Sequence, residues 1–218
     1  MTSIAPALLV KLREIEQNPA ATFTSTGFCV RSSGSACYYV KTGGPSEMEQ
    51  YQGEAKSLES IEQAAPSLAP RVFSVGFIQG KEDEDEEDEE EDQRSYMISE
   101  YKFLQPLKGD HALDLAKRLA TELHAYSSKG RGFGFECATY CGATRTQGRF
   151  FDTWAACFAD MIGSLLSSLR DQSQWKEVVE LGDQIISTVI PFLLGPPLDV
   201  EPVLLHGDLW ASNLWFNV

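Results

Sequence analysis

The chain has 218 residues, 43% of them hydrophobic and 23% charged, which suits one large domain or two lobes with a sizeable core. The net charge is −14, but Glu82 to Asp92 are eleven consecutive acids, so the rest carries only −3. A nearly neutral body without clustered Lys and Arg excludes a nucleic-acid groove, and no apolar run approaches the roughly 18 residues of a membrane helix.

The N-terminus has no basic region followed by a long apolar stretch, and Glu14 and Glu16 argue against a transit peptide. Five cysteines (Cys29, Cys37, Cys137, Cys141, Cys157) then read as free thiols in a reducing cytoplasm. Cys137 and Cys141 lack the neighbours that a zinc site needs.

The first helix is expected over 5–16, with Leu8, Leu9, Leu12 and Ile15 at helical spacing. Two strands follow, 22–30 and 36–42, joined at Ser32-Ser33-Gly34-Ser35. After Gly43-Gly44-Pro45 a helix is expected, with Ser46 and Glu49 as a capping box and its end before Pro66. Residues 71–78 and 95–101 read as strands. The acidic run joining them reads as a solvated, disordered hairpin insertion; the alternative is a docking element for a basic partner. Three helices are expected in the second half. The first runs from Asp110 to about Tyr126, with Leu115, Leu119 and Leu123 on a stripe. The second covers 150–169, with Phe151, Trp154, Phe158, Met161, Leu165 and Leu169. The third covers 175–194, with Val178, Leu181, Ile185, Val189 and Phe192, and stops at Gly195-Pro196-Pro197. A strand-rich lobe over 1–101, with 82–92 inserted, thus precedes a helical lobe over 102–218, an α+β order.

Chemistry concentrates in three places. In VLLHGDLWASNLWF a short apolar run leads into His206-Gly207-Asp208, and Asn213 follows five residues after the acid. An acid that orients a hydroxyl and an amide that holds a metal are what phosphoryl transfer needs; the plainer reading is a loop whose Asp and Asn cap neighbouring turns. Lys41 ends the run Tyr38-Tyr39-Val40, and Glu54 shares a helical face with Tyr51, Leu58 and Ile61. A carboxylate on an inward stripe needs a cation, and Lys41 is the nearest candidate; the alternative is a rim glutamate reaching to water. Strand lysine, helix glutamate and distal Asp and Asn occur in the order of a kinase-type ATP site.

The stretch from His206 to Asn213 resembles the HGDLWxxN signature of the fructosamine kinase family, the ketosamine-3-kinases or protein-ribulosamine 3-kinases. Tyr51 to Glu59 is similar to that family's GE-x-x-SLE helix, and Tyr39-Val40-Lys41 to its FVK strand. Leu123-His124 resembles its LH, and Phe133-Gly134-Phe135 with Gly142, Trp154 and Phe158 its FGF…G…W…F stretch. The resemblance covers residue 22 to the end and implies a protein-kinase-like, aminoglycoside-phosphotransferase-like two-lobe fold. The implied activity is ATP- and Mg2+-dependent phosphorylation of the sugar 3-hydroxyl of ketosamines, free or on glycated protein lysines, a deglycation step with no nucleic-acid or membrane partner. It implies Asp208 as catalytic base, Asn213 as magnesium ligand, Lys41 as phosphate-binding lysine with Glu54 its partner, Ser99-Glu100-Tyr101 as the hinge that receives adenine, and His206 and Trp210 as supporting loop residues.

Three departures stand out. Thr26-Gly27-Phe28 and Ser33-Gly34-Ser35 form no GxGxxG loop, the acidic insertion lies outside the family pattern, and the chain ends at Val218, before the family's metal-binding Asp in a DP motif. The resemblance therefore implies an incomplete helical lobe, apolar faces near Phe158, Leu165, Ile185 and Val189 left uncovered, and 218 residues inactive on their own. The alternatives are another small-molecule kinase, of the aminoglycoside or choline type, and a non-catalytic, pseudokinase-like binding module.

Overall fold

Side-chain alternation along two strands sets the first part of the architecture. The computed structural model describes residues 4–80, 92–128, 130–210 and 213–217. The expected acidic insertion lies outside them, except that Asp92 opens a strand. Strands β1 (Phe23–Thr26), β2 (Cys29–Ser32), β3 (Cys37–Gly43), β4 (Val72–Gly80) and β5 (Asp92–Glu100) form an antiparallel sheet in the order β1-β2-β3-β5-β4. Successive strand residues point to opposite faces. On one face Tyr38, Tyr96 and Ile98 join Val30 and Ile78 under helix α1 (Pro6–Glu16), which buries Leu8 and Leu12 there. On the other face Met97 packs with Tyr51 and Ala55 of helix α2 (Met48–Ala64). Residues 95–99 are buried throughout, as expected of a central strand covered on both faces.

Two sequence expectations change here. The stretch 22–30 is a hairpin rather than one strand: Gly27, at φ 60°, turns the chain between Thr26 and Cys29, a backbone region that glycine enters without penalty. Ser46 and Glu49 form no capping box. Pro45–Glu47 make a 3-10 turn ahead of α2, and the Glu47 carboxylate accepts the Gly44 N–H at 2.8 Å.

The chain divides into two compact units, Met1–Asp114 with Asp208–Val218, and Leu115–Gly207, rather than at residue 101. The reason is a late strand pair: β6 (Leu104–Pro106) binds β11 (Trp215–Asn217), and His111 stacks on Phe216 at 4.1 Å. That pairing draws residues 208–218 into the first unit.

The second unit is mainly helical. Helix α3 (Asp110–Arg118) begins in the first unit and continues as a π turn over Leu119–Leu123, with Leu123 fully buried. Short strands β7 (Phe133–Gly134) and β10 (Phe150–Phe151) pair, as do β8 (Tyr140–Cys141) and β9 (Thr144–Arg145). Helix α4 (Trp154–Ser167) starts four residues later than expected, because the Thr153 hydroxyl accepts the Ala156 N–H there. Helices α5 (Lys176–Gln184) and α6 (Ile190–Leu194) flank a π turn over Ile185–Val189. The expected stripe of Val178, Leu181, Ile185, Val189 and Phe192 is exposed, whereas Val179, Gly182 and Ile190 are buried. On α4, Met161 and Leu165 are likewise exposed, and Cys157 and Leu166 are buried.

Candidate active site

The same alternation that builds the sheet places Lys41. Tyr38 and Val40 serve the α1 side, so Tyr39 and Lys41 face α2, in register with Ser99 and Met97 of β5. On α2, Tyr51 and Glu54 lie three residues apart on one face. Lys41 Nζ donates to Glu54 Oε2 at 2.5 Å and sits 5.4 Å from the centre of the Tyr51 ring. The pair is half-buried, at 27% and 35% side-chain exposure, so it is shielded yet open to a ligand.

A cleft of about 540 Å³ adjoins this pair, lined by Tyr39, Glu54, Leu58, Met97 and Leu104 with Trp215, and by Ser99 to Lys102. Its size and mixed lining suit a nucleoside. A shallower depression of about 350 Å³ beside the C-terminal end of α1, lined by Val10, Arg13 and Pro19 among others, contains none of the expected site residues.

Ser99, Glu100 and Tyr101 form one wall of the cleft. The Glu100 N–H donates to Arg71 O at 2.8 Å and the Tyr101 N–H to Cys37 O at 3.2 Å, so both amides serve the sheet. Among the described residues the next amide, of Lys102, has no partner. Lys102 Nζ lies 2.8 Å from Glu100 Oε2. Burial pushes the Glu100 carboxyl upward, but the Lys102 ammonium, the Arg71 N–H and the Arg71 charge outweigh it and hold the group below the ordinary range.

Asp208 and Asn213 are brought together. Asn213 Nδ2 donates to Asp208 Oδ2 at 2.6 Å and to Asp208 O at 3.1 Å, which leaves its side-chain carbonyl oxygen out of the bond. The approach to this loop is fixed in the second unit: Ser127 bridges Val203, and Leu204 N–H donates to Tyr126 O at 2.9 Å. Gly207, at φ 86°, then turns the chain into Asp208. His206 and Trp210 are both exposed.

The side-chain oxygen of Asn213 fits a magnesium ligand in kind, since Mg2+ prefers hard oxygen and takes only one or two protein groups beside water and phosphate. Among the described residues no three His, Cys, Asp or Glu side chains cluster as a metal cage. Sequence reasoning missed Lys102, Tyr39, Met97 and Trp215 as wall residues. The signal for two of them was period two: Tyr39 precedes Lys41 by two, and Met97 precedes Ser99 by two.

Sheet, helices and cleft define an α+β fold of the kinase type. A crystal structure from Haemophilus somnus, provisionally named a fructosamine-3-kinase, superposes with a TM-score of 0.67 over 95% of this chain and 66% of that one, at 17% identity. The chain belongs to the fructosamine kinase family, whose model matches residues 13–218. A chloroplastic protein-ribulosamine 3-kinase of Arabidopsis thaliana is 27% identical over 83% of this chain and 51% of its own length. A Vibrio parahaemolyticus protein, provisionally named a ketoamine kinase, is 26% identical over 84% and 57%. The chain thus spans about half the length of the curated relatives it matches. Among the described residues no helix is long and apolar enough to cross a membrane.

Proposed function

We propose that this chain supplies the nucleotide site and acceptor-activating loop of a ketosamine 3-kinase, acting on fructosamine or ribulosamine adducts of free amines or protein lysines. The observation that carries the reading is the Lys41–Glu54 pair at 2.5 Å beside a nucleoside-sized cleft, in a chain whose distal loop pairs Asp208 with Asn213. Tyr39, Leu58, Met97, Leu104 and Trp215 give adenine apolar walls. The Lys102 N–H is the first hinge donor left for its edge, because the Glu100 and Tyr101 amides are committed to the sheet. Lys41 neutralises phosphate oxygens, and Glu54 keeps its ammonium aimed. Asp208 accepts the proton of the sugar 3-hydroxyl, held in orientation by the Asn213 amide. Asn213 would hold Mg2+, which supplies charge neutralisation to the transferring phosphoryl group. His206 and Trp210 border the acceptor side of the loop, and the free thiols suit a reducing cytoplasm.

The test is phosphoryl transfer by the protein purified from its native source. With labelled ATP and Mg2+, a fructosyl- or ribosyl-lysine peptide should gain phosphate on the sugar. Labelling of an aminoglycoside or of choline, with none on the ketosamines, would refute the acceptor assignment.

A further inference from the structure

Tyr51 belongs to two contact networks at once. Its ring faces the Lys41 ammonium at 5.4 Å. Its hydroxyl lies beside Glu47, whose carboxylate accepts the Gly44 N–H at 2.8 Å. The Gly44 carbonyl in turn accepts the Ser95 hydroxyl at 2.8 Å, and Ser95 is fully buried in β5. The turn between β3 and α2 is closed tightly on this cluster: a Cβ at Gly43 would lie 2.1 Å from Glu47 Oε2 and 2.7 Å from the Tyr51 hydroxyl. Lys41 stands two residues before that glycine. Strand end and helix start are therefore fastened at Lys41–Glu54 and at Gly44–Glu47, and Tyr51, only 4% exposed, touches both fastenings.

We infer that Tyr51 is a positioning residue for phosphate recognition: its ring confines the Lys41 ammonium to the arc shared by Glu54 and the nucleotide phosphates, and its hydroxyl, packed against Glu47 and the Gly43–Gly44 turn, keeps that ring in place. This rests on the reading of the cleft as an ATP site. The ammonium must divide its protons between a carboxylate and an incoming phosphate, so it needs a wall that neither competes for protons nor lets it swing to water. An aromatic face offers that, since it attracts the cation through its quadrupole without accepting a strong hydrogen bond. A lysine held by Glu54 alone keeps its charge but loses the constraint on direction.

The experiment compares nucleotide binding by wild type, Lys41→Ala, Tyr51→Leu, Tyr51→Phe and Glu47→Ala, each titrated with MgATP and with adenosine. Adenosine reads the hinge, and the difference between the two ligands reads the phosphate contacts. Tyr51→Leu should weaken ATP about tenfold and adenosine less than twofold. Tyr51→Phe and Glu47→Ala should each weaken ATP about threefold, and their double variant no further, because both remove the same contact. Tyr51→Phe keeps the buried ring volume, so it carries the test if Tyr51→Leu does not fold. Equal loss of ATP and adenosine would show a merely structural role and overturn the inference. So would unchanged ATP affinity in Tyr51→Leu, or in Tyr51→Phe and Glu47→Ala together. If Lys41→Ala itself leaves ATP affinity unchanged, the ATP-site reading falls and takes the Tyr51 role with it. If only Lys41→Ala is impaired, the site stands and the Tyr51 role alone is refuted.

Discussion

Removing the Glu54 carboxylate should separate stability from ligand recognition. Two unit charges about 4 Å apart attract by roughly 4 kcal/mol at an effective dielectric constant of about 20. The Lys41–Glu54 pair is about one-third exposed, and side-chain ordering and desolvation offset most of that, leaving a net contribution of about 1 kcal/mol. For a chain of this size Glu54→Ala should therefore lower the melting temperature by only about 2–4 °C. Phosphate recognition should suffer far more. A hydrogen bond between charged groups contributes about 1.5–3 kcal/mol, and an unanchored Lys41 forfeits most of it, which amounts to roughly ten- to a hundredfold in ATP affinity. Calorimetric titration with MgATP, alongside thermal melts, reads both quantities. Lys41→Ala should match Glu54→Ala in affinity, and the double variant should be no weaker than Lys41→Ala. Additive losses in the double variant would refute the reasoning. A melt lowered by about 10 °C with unchanged ATP affinity would do so too, since the pair would then be a strut and not part of a site.

In protein from its native source, Asp208→Asn should abolish transfer to the acceptor while ATP affinity stays within about twofold; comparable loss of both would assign Asp208 to nucleotide binding. Burial, with the Glu16 hydrogen bond and charge, pushes the Tyr38 phenol up to about 12 from the usual value near 10. A raised folded-state value favours the protonated form, so this contribution of up to about 3 kcal/mol is complete below pH 10 and is lost as pH climbs from 10 to 12. Chemical denaturation at pH 9 and pH 12 should therefore show a steeper loss in wild type than in Tyr38→Phe, and equal slopes would contradict it. Gly134, at φ 131°, has no room for a side chain, because a Cβ would sit 2.1 Å from the Arg149 carbonyl oxygen. Gly134→Ala should cost about 2–4 kcal/mol of stability, and a melt within a degree of wild type would show that β7 and β10 can part freely.

Much of the first unit was legible because strands buried on both faces and helices with one apolar stripe leave distinct periods. Tyr51 with Glu54 and Leu58 could be assigned to one face before any coordinates. The start of α2 was misread because Ser46 and Glu49 fit a capping box as well as Glu47 fits its bond to Gly44, and only the 3-10 turn at Pro45 decides between them. The packed face of α5 and α6 was not assigned from the sequence, for another reason. Val178, Val179, Leu181, Ile185, Ile186, Val189 and Ile190 are apolar nearly all round, so periodicity defines no unique phase, and the π turn over Ile185–Val189 rotates whatever follows it. Trp215 could not be found from local pattern at all. It reaches the cleft through the β6–β11 pairing, a contact between segments more than a hundred residues apart.

The most direct test is hydrogen exchange of the 218-residue chain with and without MgATP, read peptide by peptide. Protection should rise over residues 39–41, around Glu54 and over 99–104, the walls of the cleft, and should not change at the depression beside α1. Saturating nucleotide that leaves those segments unprotected, or protects the α1 depression instead, would contradict the assignment of the cleft as the ATP site.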